Sequence, residues 1–213
     1  MSLTTVWGLK PRFLEGLARP DVESILAPAS HRWLLANSVV VNQGDSADRL
    51  FLLTKGRARY FFITQEGRNL LLFWLRPGDI FGGAALHRNG GVLVWNHSVI
   101  VDLAARYPRL LENALSIASD YFTYYVATHV ALTCHTARQR LAQVLVNLAD
   151  GIGQQVPGGV QLDVTNEELA NTANVTLFTA SRLLSGWQRN GAVLKSRGKV
   201  LLRSPARLLL PAA

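Results

Sequence analysis

A single cysteine, Cys134, stands in a chain of 213 residues. One thiol excludes an internal disulfide framework and any iron–sulfur cluster held by four thiolates of one chain. Acidic residues are scarce too, with 14 Asp and Glu against 22 Lys and Arg. No apolar run approaches the roughly 18 residues that span a bilayer. The opening MSLTTVWGLKPRFLEGLARP also lacks the basic-then-apolar order of a secretory signal, so a cytoplasmic protein without a membrane partner is expected. Catalytic motifs are missing: there is no G-x-S-x-G, no Walker loop and no H-E-x-x-H. Asp45, Asp48 and Asp79 fall in expected turns rather than forming a carboxylate set. No enzymatic activity is expected. The histidines at 31, 87, 97, 129 and 135 do not recur at ligand spacing, and adjacent Cys134 and His135 point in different directions on a helix, so no metal is expected.

What is present is apolar material and positive charge. Hydrophobic residues make up 49% of the chain, enough for two modest cores or one large one. The charge is uneven. From residue 136 onward there are nine Lys or Arg and four Asp or Glu, against thirteen and ten before it. Such an excess releases counterions on meeting a polyanion, which makes double-stranded DNA the expected partner.

The stretch Thr165 to Gly191, TNEELANTANVTLFTASRLLSGWQRNG, carries the expectation further. Thr165 and Glu168 have the S/T-x-x-E spacing of a capping box, which predicts a helix start. Asn174-Val175 is a candidate turn, because Asn tolerates the left-handed backbone. Thr176 then caps a second helix with Ala180, Leu183, Leu184 and Trp187 on one face and Thr179, Ser181, Arg182, Gln188 and Arg189 on the other. After Gly191, VLKSRGKVLLRSP predicts a hairpin turning at Arg197-Gly198, with Lys195, Arg197, Lys199 and Arg203 around it. Two short helices and a hairpin also serve as ordinary packing units. The basic hairpin directly after the second helix favours DNA, with Arg182 as the base contact and Lys195, Arg197 and Lys199 on phosphates.

The first half has a different rhythm. Glycines at 44, 56, 67 and 78 separate the apolar runs LFLL, YFFI and LLLFWL, which predicts an antiparallel barrel or sandwich with a hairpin turn at Gln65 to Arg68. Phe13 to Leu26 predicts short helices at its edge. From Pro108 the pattern turns helical: Leu111, Leu115, Ala118, Phe122, Tyr125, His129 and Leu132 form a heptad seam, and Leu110, Ala114, Ile117, Tyr121, Tyr124, Thr128 and Ala131 form a second stripe beside it. Two apolar faces on one helix predict that it packs on its own domain and on a second copy. A further helix with Leu141, Val144, Leu145 and Leu148 leads to Gly151 and a loop QQVPGG. The expected fold is α+β, with residues 1–107 a barrel domain, 108–135 a dimerisation helix and hinge, and 136–213 a winged helix-turn-helix.

In this order the elements resemble the CRP/FNR family of bacterial transcription regulators. The resemblance rests on VVVNQGDSADRLFLLTKGRARYF (39–61), LRPGDIFGG (75–83) and ELANTANVTLFTASRLLSGWQRNGAV (168–193). It implies a homodimer on a two-fold-related operator that acts on RNA polymerase, with a jelly-roll barrel of the cyclic-nucleotide-binding type as sensor. It implies DNA contacts by Thr165, Thr176, Phe178, Thr179, Ser181, Arg182, Arg189, Lys195, Arg197 and Lys199, and an effector pocket near Trp74, Phe81, Gly82, Gly83 and Arg88. Members that bind cyclic nucleotides carry a Glu after the Phe-Gly pair and then an Arg followed by Ser or Thr. Here Gly83 follows Phe81-Gly82 and no such pair follows, so neither cyclic AMP nor cyclic GMP is expected as cofactor and any other effector is unknown. The chain is also short by about a dozen residues between Gly91 and Val92 relative to the family: either the barrel has lost a strand beside the effector pocket, or a flexible segment of the protein is absent from this sequence. Where relatives have a Glu three residues before Ser-Arg, this chain has Phe178, which either touches a thymine methyl or packs between the helices. The alternative function is a small-molecule or haem-binding receptor with a degenerate DNA domain.

Overall fold

The computed structural model describes residues 6, 8–40, 46, 48–63, 65, 69–82, 85–86 and 89–209. The chain forms two compact units, Met1–Phe62 with Phe73–Tyr125, and Ile63–Leu72 with Val126–Ala213. The Gln43-Gly44-Asp45 turn and most of the Gln65 to Arg68 turn lie outside the described residues.

The first unit holds two antiparallel sheets. In one, β1 (Ser30–Leu34), β7 (Gly90–Asn96), β2 (Arg49–Lys55) and β5 (Ile80–Phe81) lie in the order β1-β7-β2-β5. In the other, β4 (Asn69–Leu75), β3 (Ala58–Ile63) and β6 (Ala85–Leu86) lie in the order β4-β3-β6. Side chains alternate across a strand, so the run VLVW in β7 serves two cores at once. Val92 and Val94 join Phe51, Leu53, Ala58, Leu75, Phe81 and Leu86 between the sheets. Leu93 and Trp95 face the other way, against Phe13, Ile25, Leu103 and Leu110. The expected N-terminal edge helices are a 3-10 turn, Arg12–Leu14, and α1 (Arg19–Leu26). They are core rather than edge: the Trp95 indole N–H donates to the Ile25 carbonyl at 2.8 Å, and Phe13 meets its ring edge-on at 6.4 Å.

Asn89 and Gly90, at the entry to β7, are tightly packed. Asn89 Oδ1 accepts from the Ala36 N–H at 2.7 Å, and a methyl group added at Gly90 would run into the Lys55 carbonyl. Strand β7 then runs unbroken through the Gly91-Val92 step, with Gly91 opposite Trp33 and Val92 opposite Arg32. The shortness noted in the sequence therefore falls inside a continuous, buried strand.

Two helices follow, α2 (His97–Arg106) and α3 (Pro108–Cys134). Proline at the first helical position removes an N–H that has no partner there anyway. Asn113 Nδ2 donates to the Phe13 and Glu15 carbonyls at 3.1 and 2.8 Å, and Arg12 pairs with Asp120 at 2.6 Å, which fastens the N-terminal segment to α3. The two stripes of α3 separate. Leu110 is buried and Ala114, Ile117, Tyr121, Tyr124, Thr128 and Ala131 are half-buried, whereas every seam residue from Leu111 to Leu132 is exposed. Phe73 stacks on Tyr121 of this helix and on Tyr60, at centroid distances of 4.7 and 4.8 Å.

Burial pushes the Tyr121 phenol up to about 12, reinforced by the charge of Asp79 and opposed by Arg12 and Arg76. The folded chain thus keeps a proton that the unfolded chain releases near its ordinary value of 10.0. Stability is intact below that pH and falls as pH rises toward 12, by about 2 kcal/mol for this group. Urea unfolding from pH 9 upward is expected to show a shallower alkaline decline for Tyr121→Phe than for the unaltered chain. Parallel declines would remove Tyr121 from this role.

The second unit contains α4 (Ala137–Ile152), α5 (Asn166–Thr172) and α6 (Leu177–Arg189). Its sheet has the order β10-β11-β9-β8, from β8 (Gln154–Val156), β9 (Gly159–Leu162), β10 (Val193–Ser196) and β11 (Lys199–Leu202). The expected loop QQVPGG is therefore a hairpin, turning at Pro157-Gly158; three-residue β8 is too short to show a period and relies on pairing with β9. Leu141, Leu145, Leu162, Leu169, Leu184 and Trp187 fill the core. The Trp187 indole N–H and Arg138 Nε both donate to the Leu208 carbonyl.

Candidate nucleic-acid interface

Side chains close the starts of all three helices of the second unit. Thr136 with Gln139 and Thr165 with Glu168 make capping boxes, and Thr176 Oγ1 accepts from the Thr179 N–H at 3.1 Å while bonding the Thr179 hydroxyl at 2.9 Å. Thr165, Thr176 and Thr179 thus fix the helix ends. Between α5 and α6 the backbone turns at Asn174, with φ +48°, and the Val175 N–H donates to the Ala170 carbonyl at 3.0 Å.

One residue that holds this turn was not singled out in the sequence. The Arg140 guanidinium donates from Nε to the Ala173 carbonyl at 2.9 Å, from Nη2 to the Asn174 carbonyl at 3.1 Å and from Nη1 to the His135 carbonyl at 2.8 Å. It joins the segment after α3 to the turn between α5 and α6. A faint signal exists: Arg138 and Arg140 lie near the start of α4, where the helix dipole disfavours cations.

Helix α6 buries Ala180, Leu184 and Trp187. Phe178, Arg182, Ser185 and Arg189, spaced four, three and four, line the opposite face. Arg182 and Arg189 are exposed, Ser181 and Ser185 are half-buried, and Phe178 is 76% exposed. Phe178 does not pack between the helices. The wing hairpin lies next in the chain. Its three cations are not equivalent: Lys195 reaches back to Ser185 Oγ at 3.3 Å, Arg197 is exposed at the turn beside Gly198, and Lys199 stands 4.0 Å from Asp163.

Of the residues expected around an effector, the three described ones, Trp74, Phe81 and Gly82, stand in different surroundings. Phe81 is in the core between the sheets, stacked on Phe51 at 5.2 Å, and Gly82 is exposed. Trp74 alternates with the core residues Phe73 and Leu75, so it faces away from that core and lies under Arg59, 5.9 Å from ring centroid to guanidinium. Gly83 and Arg88 lie outside the described residues.

A cyclic nucleotide-binding domain model matches residues 31–102 and a Crp-like helix-turn-helix domain model matches residues 139–210. The chain is 26% identical over 206 residues to the cyclic AMP receptor protein of Thermus thermophilus, covering 91% of this chain and 93% of that protein. It is 23% identical over 171 residues to the fumarate and nitrate reduction regulatory protein of Vibrio cholerae, covering 74% and 68%. Its fold is similar to that of the c-di-GMP responsive global regulator of Xanthomonas campestris, with a TM-score of 0.77 at 19% identity, covering 88% of this chain and 100% of that one. A mutant of CooA from Carboxydothermus hydrogenoformans gives a TM-score of 0.74 at 22% identity, covering 87% and 88%. A barrel of the cyclic-nucleotide-binding type followed by a Crp-like helix-turn-helix defines a DNA-binding transcription regulator. The chain belongs to the CRP/FNR family.

Proposed function

We propose that the protein acts as a homodimer on a two-fold-related operator, contacts RNA polymerase there, and does so in the cytoplasm without cyclic AMP. The exposed seam of α3 carries this reading: Leu111, Leu115, Phe122, Tyr125 and Leu132 are 39 to 68% exposed on a helix whose other stripe is already covered. A contiguous apolar surface of that kind marks an association site, and an isologous pair would present two copies of α6 to successive grooves of one DNA face. Among the described residues, no helix is long and apolar enough to cross a membrane.

Independence from cyclic AMP is supported by Gly83 after Phe81-Gly82 and by the lack of an Arg-Ser or Arg-Thr pair in the barrel sequence that follows. Tyr60, Phe73 and Tyr121 stack on one another beside the core between the sheets, and Phe51 and Phe81 stack within it. Without the Arg of that pair, a cyclic phosphate would lack the charge-assisted hydrogen bonds that compensate a buried anion. Millimolar cyclic AMP is therefore expected to leave both the melting temperature and the affinity for promoter DNA unchanged. A rise of several degrees would signal binding by mass action and refute the proposal.

A further inference from the structure

We infer that Phe178 reads the methyl group of a thymine, so that each operator half-site carries an A·T pair within about two base pairs of the base met by Arg182. The inference rests on the DNA-binding reading above and extends it to the chemistry of one base. Phe178 lies half a turn around α6 from buried Trp187, on the same stripe as Arg182 and Arg189, and is 76% exposed, with Leu177 beside it at 54%. No acidic residue occupies the first turn of α6, so nothing there repels phosphate. A phenyl ring set among cations is complementary to a polyanionic groove rather than to an apolar protein surface.

A phenyl group neither donates nor accepts a conventional hydrogen bond. The group in the major groove that rewards its contact is the thymine C5-methyl, since the other base edges present donors and acceptors that it would leave unsatisfied. The distance to Arg182 follows from helix geometry: four residues rise about 6 Å, close to two base steps of about 3.4 Å.

The test uses the full chain and duplexes selected from a random-sequence library, once with thymidine and once with deoxyuridine in its place. Deoxyuridine pairs with adenine as thymidine does but lacks the methyl. The thymidine library is expected to yield a half-site with a fixed A·T pair within about two positions of a fixed G·C pair, and the deoxyuridine library to lose the first while keeping the second. On the selected duplex, removing that methyl from both half-sites lowers affinity by about fifteenfold, from about fourfold for each buried methyl. Phe178→Ala, a surface change whose melting temperature is expected to match the unaltered chain, binds thymidine and deoxyuridine duplexes equally. The inference is overturned if the unaltered chain binds both duplexes alike, or if Phe178→Ala still discriminates between them. If neither library yields any preferred sequence, the DNA-binding reading fails and takes this inference with it.

Discussion

With Leu115 and Phe122 both replaced by glutamate, the protein is expected to sediment as a monomer at micromolar concentrations at which the unaltered chain is expected to be a dimer. The two side chains are 62% and 68% exposed within one protomer, so the substitution leaves the protomer's own core untouched. A two-fold axis repeats each of them, which places four carboxylates in one apolar seam. Desolvating each charge costs several kcal/mol, so the total exceeds the roughly 8 kcal/mol that corresponds to a micromolar dimer. Circular dichroism of the variant is expected to match the original. A double variant that remains dimeric would place the interface elsewhere on the chain.

Arg182→Ala and Lys199→Ala are expected to fail in different ways. Arg182 is exposed on the open face of α6, and its planar fork can engage guanine O6 and N7 together, worth roughly 1–3 kcal/mol of discrimination. Its loss therefore weakens the specific duplex by about tenfold or more and scrambled DNA much less. Lys199, on the wing, is proposed to meet phosphate, which carries no sequence information. Its loss weakens both duplexes alike and reduces the salt dependence by about one ion per subunit. Titrations on both duplexes at several salt concentrations separate the two patterns. Equal losses on both for Arg182→Ala would leave Phe178, Thr179 and Ser181 as the base-reading set.

Much of the second unit could be read from local patterns because its signals span few residues. The Thr165–Glu168 box, the left-handed Asn174 and the Gly198 turn each need only a short window, and each stands where its chemistry requires. The two stripes of α3 were also legible, since a helix keeps its period over many turns and one stripe is covered while the other is exposed. Long-range features were not. Arg140 bonds carbonyls 33 and 34 residues away, and no local pattern announces such a partner. The same holds for Trp95 and Ile25, separated by 70 positions, whose hydrogen bond brings the N-terminal helix into the core. For Trp74, strand alternation gives its face, opposite that of Phe73, but not what that face meets. The hairpin β8-β9 was taken for a loop because its strands are shorter than the window in which alternation can be counted.

The β6–β7 join has a bearing on how this barrel can evolve. Gly90 is pressed against the Lys55 carbonyl, and the four residues after it are all buried and paired on both sides of β7. Restoring a family-length segment at this point would have to part a central strand from both of its neighbours before any new side chain could meet a ligand. Intermediates along that route would lose core packing first and gain binding last. Insertion at this join is therefore costly from its first step, whereas the exposed face of α6 can change one side chain at a time without disturbing a core.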